Sequence, residues 1–261
     1  MIIGYPHKGG GLFEIACGLV EKGLSRPVRS TIVSLGGFPA PRAAKYLKSK
    51  VFDFGPNYVV FQFGATDAQC PIRTGSRPTD CRSSPSTDCG LKSSSDLGAS
   101  YHSQPATALS PLRWELVSLI GHLRKIDPIT PLSSYIAAIG RMVDDCRSAG
   151  ITAVVLSPFV YGSRYTMRNA ISYTNALHEL LRAQDVILVD CVRLLAKFPK
   201  SLTLQHDGFH LSRAGHNVIG EAIAEAIVTD AQERFQISAT SASSAVTLEF
   251  DAVDDDKSRA G

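Results

Sequence analysis

The stretch Gln205-His206-Asp207-Gly208-Phe209-His210-Leu211-Ser212-Arg213-Ala214-Gly215-His216 decides how the rest of the chain is interpreted. Within it, Asp207 and His210 stand three residues apart in a loop, and an amphipathic helix is predicted to follow over residues 217–228. An aspartate can hold one nitrogen of an imidazole ring and leave the other nitrogen to move a proton. Acyl chemistry also requires a nucleophile and hydrogen-bond donors for an oxyanion, which must come from other segments.

The composition indicates an ordinary globular domain. The chain has 261 residues, of which 44% are hydrophobic and 20% are charged, enough for one large α/β domain. A net charge of +3, with no cluster of Lys and Arg, argues against a nucleic-acid partner. No apolar run reaches the roughly 18 residues of a membrane span. The N-terminus has no basic region followed by an apolar one, so the expectation is a cytoplasmic protein without a membrane partner.

Short apolar runs typical of strands alternate with segments of helical periodicity. The predicted strands cover residues 1–3, 31–35, 58–63, 151–156 and 186–190. The predicted helices cover residues 12–24, 42–51, 111–125, 132–149, 169–183, 192–197 and 217–228. Strands separated by helices favour a parallel sheet covered by helices on both faces. The prediction is therefore one three-layer α/β domain over residues 1–237 with a five-stranded parallel sheet.

Two segments depart from this pattern. Residues 69–110 are rich in Ser, Thr, Pro and Gly and are predicted to be an insertion, a surface loop in preference to a lid. Residues 238–261 are rich in Ser and Ala and then acidic, and are predicted to be a disordered, solvated tail. The insertion holds three cysteines and a histidine, a ligand set that zinc can use, but their spacings match no compact zinc motif and favour free thiols. These residues are Cys70, Cys81, Cys89 and His102.

Four loops are expected to meet at one edge of the sheet, because ligands of open α/β sheets bind at the carboxyl ends of the strands. These loops contain residues 4–11, 36–37, 64–67 and 207–210. The sequence therefore predicts a single cleft to which all four segments contribute.

The order of these loops resembles the SGNH (GDSL) hydrolase superfamily, from residue 1 to about residue 228 apart from the insertion. That family has a flavodoxin-like fold and hydrolyses esters, thioesters or acyl groups on sugars. Asp207-Gly208-Phe209-His210 is similar to its fifth block, which implies His210 as the base and Asp207 as the residue that orients it. Gly64-Ala65-Thr66-Asp67 stands where Gly-x-Asn-Asp is expected, which places Thr66 at an oxyanion position, and Gly37 corresponds to the second-block donor.

The first block departs from the family, since Gly4-Tyr5-Pro6 stands where Gly-Asp-Ser is expected. Proline has neither a hydroxyl nor an N–H, so Pro6 can neither attack nor donate to an oxyanion. Three alternatives remain open: another nucleophile such as Ser34 or Cys17, direct activation of water by His210, or anion binding at the glycine-rich turn 7–11.

The resemblance implies an esterase-type hydrolase or acyl transferase acting on a small-molecule ester or an acylated sugar, with no cofactor and no metal. The alternative is a catalytically degenerate relative that binds an acyl or sugar ligand without turnover. A nucleotide binder is less favoured, because the chain has no recognised phosphate loop. His206 and His216 are interpreted as polar loop or helix-start residues, and Asp67 as a cap of its own turn. No oligomeric state is indicated.

Overall fold

The computed structural model of the chain describes residues 11–33, 38–69, 116, 119–120, 123, 127–159, 164–205 and 210–251. The strands are β1 (Tyr58–Gln62), β2 (Thr152–Leu156) and β3 (Ile187–Val189). The helices are α1 (Leu12–Leu24), α2 (Ala40–Ala43), α3 (Leu47–Lys50), α4 (Leu132–Ser148), α5 (Arg164–Leu181), α6 (Cys191–Ala196), α7 (Lys200–Thr203) and α8 (Arg213–Asp251). Two 3-10 turns, Ala44–Tyr46 and Phe52–Phe54, flank α3. None of the described helices is long and apolar enough to cross a bilayer.

The described strands form one parallel sheet in the order β1-β2-β3. Tyr58 is in register with Thr152, and Val154 with Ile187. Parallel neighbours need a crossover connection, and α4 and α5 lie in the two connections between the strands. The predicted α/β class with a parallel sheet is confirmed.

Two of the five predicted strands are not among the three described, and they have different outcomes. The strand predicted over residues 1–3 lies outside the described residues. The strand predicted over 31–35 is not present at residues 31–33, which are described but pair with no other strand, and its last two residues lie outside the description. The apolar side chains in the described part of this segment are Ile32 and Val33, and both are half-buried. The side chains of a parallel strand enclosed by helices would be buried on both faces.

The alternating faces of β2 separate two hydrophobic cores. Val154 and Leu156 belong to the first core, whereas Ala153 and Val155 belong to the second. The first core is built with α1 and α8, through Leu12, Ala16, Val20, Ile219 and Ile223. The second core is built with α4 and α5, through Ile139, Met142, Val143 and Leu177. Helices therefore cover both faces of the sheet, which gives the three layers expected from the sequence.

Helix α1 has the bounds that the sequence predicts, because both of its ends are marked locally. At its start, the Glu14 carboxylate accepts the Gly11 N–H at 2.8 Å. At its end, Ser25 adopts the left-handed conformation with φ +52°. Between these ends, Leu12, Ala16 and Val20 form the buried stripe.

Other helices differ from the prediction. The helix predicted over 42–51 is divided into α2, a 3-10 turn and α3, and Tyr46, the last residue of the turn, has φ −103° and ψ −5°. Helix α5 begins at Arg164, before the predicted residue 169. Helix α8 begins before residue 217 and continues past residue 228 to Asp251, through the first part of the segment predicted to be a solvated tail. No apolar stripe marks this continuation in the sequence, so hydrophobic periodicity does not predict it.

Polar bonds fasten α8 to the sheet at the amino end of β1. The Tyr58 hydroxyl donates to the Asp230 carboxylate at 2.7 Å, and Arg234 Nε donates to the same oxygen at 2.8 Å. Burial, followed by the hydrogen bond to Asp230, raises the pKa of Tyr58. The hydroxyl therefore stays protonated and remains a donor at physiological pH.

We expect Gly220→Ala to destabilise the fold, because an added Cβ would lie 2.9 Å from the Leu12 carbonyl oxygen and 2.8 Å from Ile15 Cγ2. The free energy of unfolding in urea should fall by about 1–3 kcal/mol, as for other overpacked contacts. Gly18→Ala is the matched control in a helix: nothing lies within 4 Å of its Cβ position, so helix propensity should make it neutral or stabilising by up to about 1 kcal/mol. Equal effects of the two substitutions would contradict the close approach of α1 and α8.

Candidate active site

The turn after β1 presents Thr66 at the carboxyl edge of the sheet. It begins at Gly64, with φ +107°, and is closed by the Ala68 N–H, which donates to the Gly64 carbonyl at 2.9 Å. A Cβ on residue 64 would lie 2.3 Å from Pro158 Cγ, so the turn packs directly against the residue that follows Ser157 after β2. Thr66 is half-buried in this turn. Backbone conformation and packing both require glycine at position 64.

The carboxylate of Asp67 joins this turn to the start of α2. One carboxylate oxygen accepts the Gly64 N–H at 3.0 Å, which confirms that Asp67 caps its own turn. The other oxygen accepts the Ala40 N–H at 2.9 Å, from 27 positions earlier in the chain, and Asp67 is 0% exposed. The sequence analysis missed this second bond. The sequence does indicate that the Ala40 N–H needs a partner, because Pro39–Ala40 is typical of a helix start and the first N–H groups of a helix have no partner within it. It does not indicate that the partner is Asp67.

The later half of the turn is tied to the segment before α4 and to α5. The Thr130 N–H donates to the Asp67 carbonyl at 3.2 Å, and the Ile129 N–H donates to the Gln69 carbonyl at 2.8 Å. From α5, Asn169 Nδ2 donates to the Ala68 carbonyl at 3.1 Å. These bonds hold the backbone of residues 67–69, on the carboxyl side of Thr66.

Tyr135 and Tyr173 form the buried floor beneath this turn. Their ring centroids lie 4.9 Å apart, and the Tyr173 hydroxyl donates to the Thr130 carbonyl. Burial, and then the negative charge of Asp67, raise the pKa of Tyr135 well above its usual value. Tyr135 therefore remains a neutral phenol and supplies no base to the site.

His210 lies in a loop that is closed by backbone bonds. The Gln205 N–H donates to the His210 carbonyl at 2.8 Å, and Leu204 and Leu211 form an antiparallel bridge. Gln205 Nε2 adds a bond to the Leu211 carbonyl at 2.9 Å. The loop is therefore fixed immediately on both sides of residues 206–209, and His210 is half-buried at its later end.

The same loop is packed onto the first core and onto α8. Leu204 and Leu211 are buried in the cluster that contains Phe159 and Cys191, which follow the carboxyl ends of β2 and β3. A Cβ on Gly215, in the first turn of α8, would lie 2.3 Å from the Thr203 carbonyl oxygen, so the helix meets α7 in direct backbone contact. These contacts attach the His210 loop to the first core and α8 to α7.

Of the residues predicted to form the site, Thr66 and His210 fall within the described part of the chain. Asp207, Gly37 and Pro6 lie outside it, as do His206 and the cysteines of residues 70–89. His216, which the sequence suggested to be a polar helix-start residue, is only 1% exposed and lies within the fold. Among the described residues, no group of three His, Cys, Asp or Glu side chains is arranged to hold a metal.

The described thiols are poorly suited to replace the missing nucleophile. Reactive cysteines attack as thiolates, which requires a low pKa. Burial raises the pKa of Cys17, and a hydrogen bond with Ser30 opposes this only in part. Burial likewise raises the pKa of Cys146 to about 12 and raises that of Cys191 further. Ser157, at the carboxyl end of β2, is 0% exposed and therefore closed to a substrate. Ser34 lies outside the described residues.

A second Asp–His pair, which the sequence analysis missed, lies between α5 and α6. His178 Nε2 is 2.8 Å from Asp190 Oδ2, and the His178 side chain is 35% exposed. Asp190 also accepts the Arg193 N–H at 3.0 Å as the N-cap of α6. A shallow cavity of about 490 Å³ beside the pair is lined by Asn175, Ala176, His178, Glu179, Arg182 and Arg193. Asp190 is the N-cap of α6, and the His178–Asp190 pair lies among exposed ion pairs, so a structural role accounts for the pair.

Solved structures of esterases share this architecture. Neither a protein-family model nor a curated protein sequence matches the chain. The acetylxylan esterase Axe2 from Geobacillus stearothermophilus is similar with a TM-score of 0.56 and 16% identity, over 85% of this chain and 83% of that one. A putative lipolytic protein of the G-D-S-L family from Desulfitobacterium hafniense DCB-2 is similar with a TM-score of 0.51 and 12% identity, over 85% and 92% of the two chains. The chain therefore has the α/β fold of SGNH (GDSL) hydrolases, as its sequence predicts.

We expect Gly64→Ala to destabilise the protein strongly, because it combines a left-handed backbone with a Cβ placed 2.3 Å from Pro158 Cγ. Gly55→Ala is the matched control, since Gly55 has φ +58° and nothing within 4 Å of its Cβ position. The control should lose about 1–2 kcal/mol in urea unfolding for the backbone conformation alone. Gly64→Ala should lose at least about 1 kcal/mol more for the clash. Equal losses would show that the turn does not press on Pro158.

Proposed function

We propose that this chain is an esterase-type hydrolase that acts on a small acylated substrate, either a simple ester or an acylated sugar. The observation that carries the proposal is the Asp207-x-x-His210 pair in a chain with the fold of these esterases, on a loop fixed to the core at both ends. Mutants of Axe2 that are described as catalytic change a serine, an aspartate and a histidine, and its aspartate and histidine are also three residues apart.

In this proposal His210 is the general base and Asp207 orients its ring. The Thr66 hydroxyl and the Gly37 N–H donate to the oxyanion that forms when the ester carbonyl is attacked. Two observations support Thr66: it follows the carboxyl end of β1, and its turn is held rigidly by Asp67. A hydroxyl can donate one hydrogen bond, so a threonine can serve where the family has an asparagine.

Water is the nucleophile in this mechanism, because Pro6 stands where the family has its serine. His210 takes a proton from the water as its oxygen bonds to the carbonyl carbon, which forms a tetrahedral intermediate. The bond to the leaving alkoxide then breaks, and the proton held by His210 passes to that alkoxide. The products are a carboxylic acid and an alcohol, and no acyl-enzyme forms. The raised pKa values of the described thiols support water over a cysteine.

An acylated sugar is favoured among the possible substrates by the solved structures of similar fold, since Axe2 is described as an acetyl-xylooligosaccharide esterase. The small net charge of +3 fits a neutral substrate better than a polyanionic one.

The second candidate function is binding of the same acyl or sugar ligand without turnover. The replacement of the family serine by Pro6 favours it, because the loss of a nucleophile removes the acyl-enzyme route altogether. Both candidates use one cleft, and they differ in whether water can be activated there.

We expect the wild type to hydrolyse p-nitrophenyl acetate and His210→Ala to lose about 100-fold or more in kcat, the usual contribution of a general base. His178→Ala is the matched control, since it removes a partly exposed histidine that is also paired with an aspartate. Its kcat should stay within about threefold of the wild type, which is well below a catalytic effect. An equal loss in both variants would point to general destabilisation and contradict the role of His210.

Pro6→Ser distinguishes the two candidate functions. If the wild type is inert, and Pro6→Ser gains both hydrolysis and labelling of residue 6 by a fluorophosphonate probe, the chain is a binding protein with an intact cleft. If the wild type is active and His210→Ala is inactive, the binding-only function is excluded. An inert wild type together with an inert, unlabelled Pro6→Ser would contradict both candidates.

A further inference from the structure

We propose that Asp67 is a positioning residue, which holds the turn carrying Thr66 against the start of α2 and so fixes the Thr66 hydroxyl for the oxyanion. The inference rests on the proposed function, since Thr66 acts there as a donor. It is carried by the two bonds that leave the fully buried carboxylate in different directions, to Gly64 N within the turn and to Ala40 N outside it.

The two bonds require a carboxylate at position 67. Each of its oxygens accepts one backbone N–H, at 2.9 and 3.0 Å. A side-chain amide has only one acceptor oxygen, and its NH₂ group would face a second N–H donor. Asp67→Asn therefore loses one of the two bonds, either within the turn or between the turn and Ala40, at almost unchanged volume.

The two hydrogen bonds of the Asp67 carboxylate hold a different part of the turn from the other hydrogen bonds made to it. Thr130, Ile129 and Asn169 bind carbonyl groups of residues 67–69, at the later end of the turn. The Asp67 side chain instead holds the beginning of the turn at Gly64 and connects it to Ala40. Ala40 follows the other candidate donor, Gly37, by three residues along the chain. The carboxylate thus restrains the turn that carries Thr66 relative to the start of α2.

Steady-state hydrolysis of p-nitrophenyl acetate tests the role through Thr66. Asp67→Asn should lower kcat by about 10–100-fold, approaching the loss of one oxyanion donor, with KM within about threefold. Thr66→Val should lower kcat by about 100-fold. In the Thr66→Val background, Asp67→Asn should have less than about a threefold further effect, since residues that act through one another are not additive. The matched control, Asn169→Ala, removes the hydrogen bond to the Ala68 carbonyl at the later end of the turn and should leave kcat within about threefold of the wild type.

Full additivity of Asp67→Asn and Thr66→Val, or an equal loss of kcat in Asn169→Ala, would overturn the inference. Either result would mean that Asp67 acts only on the stability of the turn. A rise in KM with unchanged kcat would overturn it as well, because such an effect belongs to substrate binding and not to the oxyanion.

Amide hydrogen exchange followed by NMR provides a readout that does not depend on turnover. The Ala40 and Gly64 N–H groups should exchange slowly in the wild type, and one of them should exchange at least about 10-fold faster in Asp67→Asn. Fast exchange of both groups in the wild type would overturn the two bonds even if the variant fails to fold. A wild type that is inert towards the ester while both groups are protected would refute the proposed function, and with it the positioning role of Asp67 in catalysis, but not the two hydrogen bonds. An active wild type with kcat unchanged in Asp67→Asn would refute the positioning role alone.

Discussion

The bonds from the Asp67 carboxylate to two backbone N–H groups are the constraint on which the carboxyl edge of the sheet depends. A carboxylate removed from water costs several kcal/mol unless polar groups replace its hydration. Here the Gly64 and Ala40 N–H groups do so at 3.0 and 2.9 Å. The arrangement also satisfies two N–H groups that would otherwise be buried without partners. Since Gly64 is pressed against Pro158, the carboxylate links the segments after β1 and β2 with the start of α2.

The rest of the fold holds this edge in place from both faces of the sheet. Because side chains alternate along β2, the strand contributes to a core on each side, and displacing it would disturb both. On one side, α1 and α8 meet so closely that Gly220 has no room for a side chain. The Tyr58–Asp230 bond fastens α8 to the opposite end of β1 from Thr66. Thr66 and His210 are thus attached to one rigid sheet through different strands and loops.

Much of this fold could be predicted from the sequence, where local signals are strong. Helix α1 has a clear apolar stripe and marked ends, and its bounds were predicted correctly. Helix α4 was predicted to within one residue, because Gly150, at φ +69°, follows its last turn. The region 42–51 was predicted less well: it is divided by a 3-10 turn, and Tyr46 at the end of that turn forms a tilted ring contact with Phe38 at 5.9 Å. The continuation of α8 could not be predicted from hydrophobic periodicity, because its sequence shows no apolar face that resembles a core helix.

The candidate site could be proposed from the sequence to the extent that its chemistry follows from spacing along the chain. Asp207 and His210 stand out because they are three residues apart, and Thr66 because it follows a strand. The bond from Asp67 to Ala40 joins residues 27 positions apart, and nothing in the local sequence of either residue specifies the other. The same holds for His178 in α5 and Asp190 directly after β3, which lie 12 positions apart. Long-range pairs of this kind depend on the topology, which periodicity alone does not determine.

A fold by itself carries no information about turnover, so the residues proposed to perform chemistry need an argument of their own. The bond that closes the loop at position 210 uses the backbone carbonyl of that residue, which any amino acid can supply. That bond therefore does not require a histidine at 210, nor does the Leu204–Leu211 bridge require an aspartate at 207. The spacing of Asp207 and His210 is consequently an argument about chemistry separate from the argument from fold, and it supports the proposal that His210 moves a proton.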